Sequence, residues 1–212
     1  MQQLQPLESQ IKEGLRAIAE PIGGSDSIDK EADMETNISF ENVEAYIKEN
    51  LPELYFARVD PKAVEFEQRF ELLCFYCAHY NVKWTCPPKI PKVDYKKVFS
   101  EYDQALLLSN LFSVQEDPMK ARTESSVKLH RALLDIEGFL LKNGNPVRLS
   151  FIGGSCKLCK NDCAKDKCRN PYEARIPLEA TTVNVIKLAE QCGIEVKFPV
   201  EETIRRIGLI LW

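Results

Sequence analysis

The chain has 212 residues, 44% of them hydrophobic and 28% charged, which suits a globular protein with one sizeable core. A net charge of −4 argues against nucleic acid or an anionic membrane surface as a bulk partner. No apolar run approaches the ~18 residues of a membrane helix, and residues 1–8 lack the basic-then-apolar pattern of a secretory signal. A cytoplasmic protein without membrane insertion is therefore expected.

In chain order, Leu4, Leu7, Ile11, Leu15 and Ile18 recur at helical spacing, and a polar Gly/Ser/Asp-rich stretch follows from Gly23. Residues 1–38 thus read as an N-terminal helix and linker, the helix packing on its own domain or docking a second chain. Residues 39–212 read as one cysteine-rich domain. Ser39 is placed to cap a helix through Asn50, with Val43 and Ile47 on one face. Residues 54–73 carry mixed signals, with Pro61 able to open a helix. A helix is expected over Asp94–Tyr102 and a buried strand from Ala105. A long helix is expected over 118–142, with Leu129, Leu133, Ile136 and Leu140 on one stripe and Asn143-Gly-Asn-Pro146 as its stop. Val147–Ile152 reads as a strand broken by Gly153-Gly154. A helix is expected from Pro177 to about Cys192, then an alternating strand through Ile194, Val196 and Phe198, and a last strand over Ile204–Trp212. This order implies an α/β fold, with α+β as the alternative. A central mixed sheet would be flanked by helices and carry two cysteine-rich loops.

Seven of the eight cysteines fall into two sets. The first is Cys74-Phe-Tyr-Cys77 with Cys86 before Pro87-Pro88. The second is Cys156-Lys-Leu-Cys159 with Cys163 and Cys168. Disulfides are rare in reducing compartments, so metal binding or redox chemistry is the better expectation. A C-x-x-C pair turns two thiolates inward from one tight loop, and soft sulfur selects zinc or iron–sulfur clusters over hard cations. Four thiolates within thirteen residues resemble the runs that wrap a [4Fe–4S] cube. Structural zinc takes a closed set of four, and the first set offers three. Two [4Fe–4S] clusters are therefore preferred, with zinc as the alternative cofactor.

Lys157, Lys160, Lys165, Lys167, Arg169 and Arg175 surround the second set, either tuning a buried anion or forming a solvated face. Cys192 lies on an apolar helical stripe and reads as a core thiol. His130 reads as structural or surface. Trp84 is expected to shield the first set. No phosphate loop, dinucleotide turn or radical-enzyme cysteine motif is present.

Around these residues the chain resembles a family of predicted metal-binding proteins, the domain of unknown function 2284. The similar pieces are Cys74-x2-Cys77, Trp84-Thr-Cys86-Pro-Pro, Gly153-Gly-Ser-Cys156-Lys-Leu-Cys159, Cys168-Arg-Asn-Pro171, Ala174-Arg175 and Leu178-Glu-Ala180, over about residues 55–212. Ala78-His-Tyr-Asn81 departs from the glycine-richer loop of that family. The resemblance implies metal binding, of iron–sulfur type, in anaerobic organisms, and no established reaction.

Three functions follow as expectations. One is electron transfer to a partner redox enzyme, with a homo-oligomer also allowed. Another is an enzyme whose three-cysteine cluster leaves one iron open to substrate. The last is a zinc-stabilised interaction module.

Overall fold

The computed structural model describes residues 38–114, 117–198, 200 and 202–212. The expected N-terminal helix and its linker lie outside the described residues.

Helix α1 (Phe40–Asn50) starts where Ser39 Oγ accepts the Asn42 N–H at 3.4 Å, and it buries Val43 and Ile47. Strand β1 (Tyr55–Val59) follows, then a 3₁₀ turn at Pro61–Ala63 and a short α2 (Arg69–Phe75). Helix α3 (Tyr95–Ser100) leads into β2 (Ala105–Ser113). The 25-residue α4 (Pro118–Lys142) begins with Pro118 in its first turn. There Asp117 accepts the N–H groups of Met119 and Lys120 at 2.9 and 3.1 Å. Strand β3 (Leu149–Phe151), a 3₁₀ turn at Leu178–Thr181, α5 (Val185–Gln191) and β4 (Thr203–Leu211) complete the fold.

The four strands lie in the order β1-β2-β4-β3, every neighbouring pair antiparallel. Helices combined with a central sheet are what the sequence led one to expect. The sheet is antiparallel where a mixed one was anticipated, and its parallel element is an isolated bridge between Ile152 and Pro177. The long β2 and β4 sit in the centre, and alternation splits their side chains between two cores. Leu106, Leu108 and Ile210 meet α1 and α4 through Ile47, Leu129, Leu133 and Ile136. Leu107, Ile207, Leu209 and Leu211 meet Phe99, Phe151, Leu178, Val183 and Leu188 on the other face. Each such buried side chain is worth roughly 1.5–3 kcal/mol relative to exposure. Gly208 lets α4 approach, since a Cβ there would stand 2.9 Å from Leu133 Cδ1 and 2.8 Å from the Phe151 carbonyl.

Two expectations need correction, and the mixed signals over 54–73 resolve into a strand and a short helix. Residues 55–59 form β1, whose exposure pattern lacks clean alternation. The helix expected over 177–192 is broken at Thr182, whose φ of +70° ends the 3₁₀ turn before α5 starts. Residues 194–198 form no strand: Ile194 is buried, Phe198 is 70% exposed, and the segment pairs with no described strand. Among the described residues no helix is long and apolar enough to cross a membrane.

Candidate metal centre

The first cysteine loop grows out of α2. Cys74 sits in its last turn, and backbone bonds carry the chain onward: Cys77 N–H to the Cys74 carbonyl (3.1 Å), Tyr80 to Cys77 (2.9 Å) and Lys83 to His79 (3.2 Å). Asn81, at φ +55°, donates across the loop to the Pro87 carbonyl at 2.8 Å. Cys86 N–H donates to Lys83, and Lys89 to Cys86. The loop thus holds its own shape. Cys86 is buried, Cys74 half-buried and Cys77 exposed.

The second loop leaves β3 through two glycines. A Cβ at Gly153 would lie 2.5 Å from the Ile207 carbonyl, so only glycine lets the chain pass this close to β4. Gly154 takes φ +73° and donates its N–H to both oxygens of Glu179, at 3.1 and 3.2 Å. Cys156, Cys159, Cys163 and Cys168 follow, all half-buried. Asn170 Nδ2 donates to Cys159 Sγ at 3.3 Å. Downstream the loop is pinned to α4. His130 Nε2 bonds the Glu173 carbonyl at 2.8 Å, and the Arg175 guanidinium grips the Glu137 carboxylate at 2.5 and 2.7 Å.

Two side chains just before Cys86 tie the loops together. Lys83 Nζ meets Asp162 at 2.6 Å, and Trp84 Nε1–H donates to the Ala164 carbonyl at 2.8 Å. Lys89 lies over the Trp84 ring at 4.3 Å. Trp84 therefore works as a clasp between the loops.

Burial governs the thiols. It pushes Cys86 up to about 12, with Cys74 and Cys77 adding to the shift. Cys74 is raised by burial and then by Glu179 and Cys77. Cys156 is raised by burial, and its neighbours Cys163, Cys159 and Cys168 reinforce the effect against a backbone hydrogen bond. Each set is thus gathered within electrostatic reach of itself. Burial also lowers Lys157 to about 8, helped by Arg206, Arg122 and Lys83. On Lys83 burial opposes the charge, but Asp162 and the nearby thiols outweigh it and hold its pKa up.

All eight thiols are free. Among the described residues no group of three or more His, Cys, Asp or Glu side chains converges tightly enough to hold a metal ion. The donor chemistry nevertheless fits one. Two sets of soft sulfur atoms are the donors that zinc or iron–sulfur clusters take, and a bound cation would hold even Cys74, Cys86 and Cys156, which burial keeps protonated, as thiolates. The residues that would hold it are Cys74, Cys77 and Cys86 in one set, and Cys156, Cys159, Cys163 and Cys168 in the other. Cys192 stands apart, half-buried against the core beyond α5. His130 is buried and structural. Of the lysines and arginines around the second set, Arg175 is taken by Glu137 and Lys157 by the Ser155 carbonyl and hydroxyl at 3.1 Å.

Arg122 and Arg206 carry no sequence signal as neighbours of these loops, and Glu179 stands out only within the Leu178-Glu-Ala180 piece of the family resemblance. Each comes from a different element, and only the folded sheet brings them near.

A sheet-and-helix scaffold presenting two thiol-rich loops defines a metal-binding protein. The chain belongs to the family described as predicted metal-binding protein (DUF2284), whose model matches residues 57–212. No curated protein and no solved structure matches the chain.

Proposed function

We propose that the two loops each hold a [4Fe–4S] cluster and that the pair relays electrons to a partner redox protein in the cytoplasm. The observation that supports this is the clasp: Lys83 to Asp162 and Trp84 to Ala164 tie the two cysteine loops to each other. Neighbouring soft-sulfur centres suit stepwise transfer of single electrons, which is the chemistry such clusters supply when bound. The chain's own part is to seat them, exclude water and offer a contact surface.

That surface lies beside the first loop. Leu72, Leu73, Phe75 and Tyr76 are 63%, 62%, 54% and 80% exposed, next to the exposed Cys77. A cleft of about 850 Å³ continues the patch past Tyr80 and Pro87. Apolar surface of this kind commonly serves protein contacts. The test is anaerobic purification with iron, sulfide and zinc counts beside electron paramagnetic resonance. About eight irons and eight sulfides per chain, reversibly reduced, are expected for two cubes. Zinc without iron from an oxygen-free preparation would replace this reading with a zinc-stabilised module.

One observation favours a second reading, an enzyme. The first set has three thiols, and the half-buried Glu179, which bears on both Cys74 and Cys86, also lines a cleft. A cube held by three cysteines has an iron free for substrate. A change in the paramagnetic spectrum on adding a small ligand would select it.

A further inference from the structure

Strand β3 pairs with β4 only at Leu209–Leu211, so Thr203–Gly208 has no strand on that side among the described residues. A cleft of about 710 Å³ opens near this part of β4, a size typical of small-molecule sites. Its walls include Leu111, Val185, Ile186 and Ile204, and Arg122 and Arg206 both line it.

Arg206 is held in place. Its Nε donates to Ser125 Oγ at 3.3 Å, and its Nη2 to the Arg122 carbonyl at 3.2 Å. Among the described residues neither arginine forms an ion pair. Glu195, also on the cleft, is matched by Lys197 at 3.5 Å; Glu179 accepts the Gly154 N–H and attracts Arg206 electrostatically, so two guanidinium groups face one such carboxylate.

Two guanidinium groups in a partly desolvated cleft with apolar walls are matched by an oxyanion carried on an apolar frame.

We propose that this cleft binds a small organic anion, with its carboxylate or phosphate against Arg122 and Arg206 and its apolar part against Ile186 and Ile204. The test is isothermal titration calorimetry on the full-length chain, purified anaerobically, at low salt, with benzoate and with phenyl phosphate. One saturable site for at least one probe is expected, and the stronger of the two identifies the headgroup. R122Q and R206Q should each weaken it about tenfold, the worth of one charge-assisted contact. K48Q, on the distant α1, should leave it unchanged. The Arg122 side chain makes no hydrogen bond among the described residues, so R122Q keeps the test valid if R206Q disturbs the fold. Absence of saturable heat with both probes, or full affinity in a folded R122Q, overturns the proposal. Iron and sulfide counts on the same samples report separately on the thiol loops.

Discussion

The two cysteine loops carry the same donor chemistry on unlike backbones. In the first, backbone hydrogen bonds run from Cys77 to Lys89 and fix the turns before any metal is considered. In the second, no backbone hydrogen bond joins two residues of 156–169. Its order comes from outside, through the glycine pass at β4, the clasp from Lys83 and Trp84, and the anchors on α4. A loop with four thiols can leave its folding to the metal, because binding free energy becomes folding free energy. A loop with three thiols has less to gain and spends more of its sequence on turns.

The comparison breaks most sharply on metal removal. Chelation under anaerobic conditions should strip amide protection from 156–169 while 77–89 keep theirs, read by hydrogen exchange. Equal loss in both loops would erase the distinction. Single ligand changes come next. C86S and C159S should each remove about four of about eight irons, counted per chain. Loss of all iron from either variant would mean one shared centre.

The anchor of the second loop ranks third. Glu137 is 5% exposed, and E137A would leave the Arg175 charge unmatched, at a cost of roughly 3 kcal/mol in a urea melt. Burial opposes ionisation of Glu137, but its bonds to Arg175 and Ser150 outweigh it and hold its carboxyl below the usual range. That stability is present above about pH 4.5 and fades as pH falls through the lowered value. E137A should therefore also flatten the acid limb. The clasp is weaker. W84F removes one hydrogen bond and should cost about 1 kcal/mol, with faster exchange near Ala164. An unaltered melt and unaltered exchange would deny that the first loop steadies the second.

The smallest effect concerns His130. Burial lowers its pKa below 6.5, outweighing the bond to Glu173, so the folded protein holds it neutral. The unfolded chain takes a proton first. Stability should therefore start to fall as pH drops below about 6.5 and level off once the folded value is passed. H130Q should make that slope shallower in melts from pH 7 to pH 5.

Much of the scaffold was legible because local signals agreed with tertiary packing. The leucine stripe and Asn143-Gly-Asn-Pro146 marked α4, and Ser39 marked α1. Strand β1 escaped because an edge strand is half wetted and its alternation blurs. The apolar alternation of Ile194, Val196 and Phe198 misled because a strand needs a neighbour, and this segment pairs with none of the described strands. At the metal loops, spacing named the thiols. It could not name Lys83 or Trp84 as a clasp, since their partners lie 79 and 80 residues away. Arg122 and Arg206 were illegible for the same reason: charge in a cleft exists only once the sheet has formed.

Strand β4 pairs with β2 from Ala105 opposite Leu211 to Ser113 opposite Thr203, so the centre of the sheet joins segments about a hundred positions apart. During synthesis β4 follows both thiol loops out of the ribosome. The middle of the sheet cannot close until all seven loop cysteines have left the ribosome. The strand that closes the scaffold is thus made after both cysteine loops, so the loops wait on β4 for their platform.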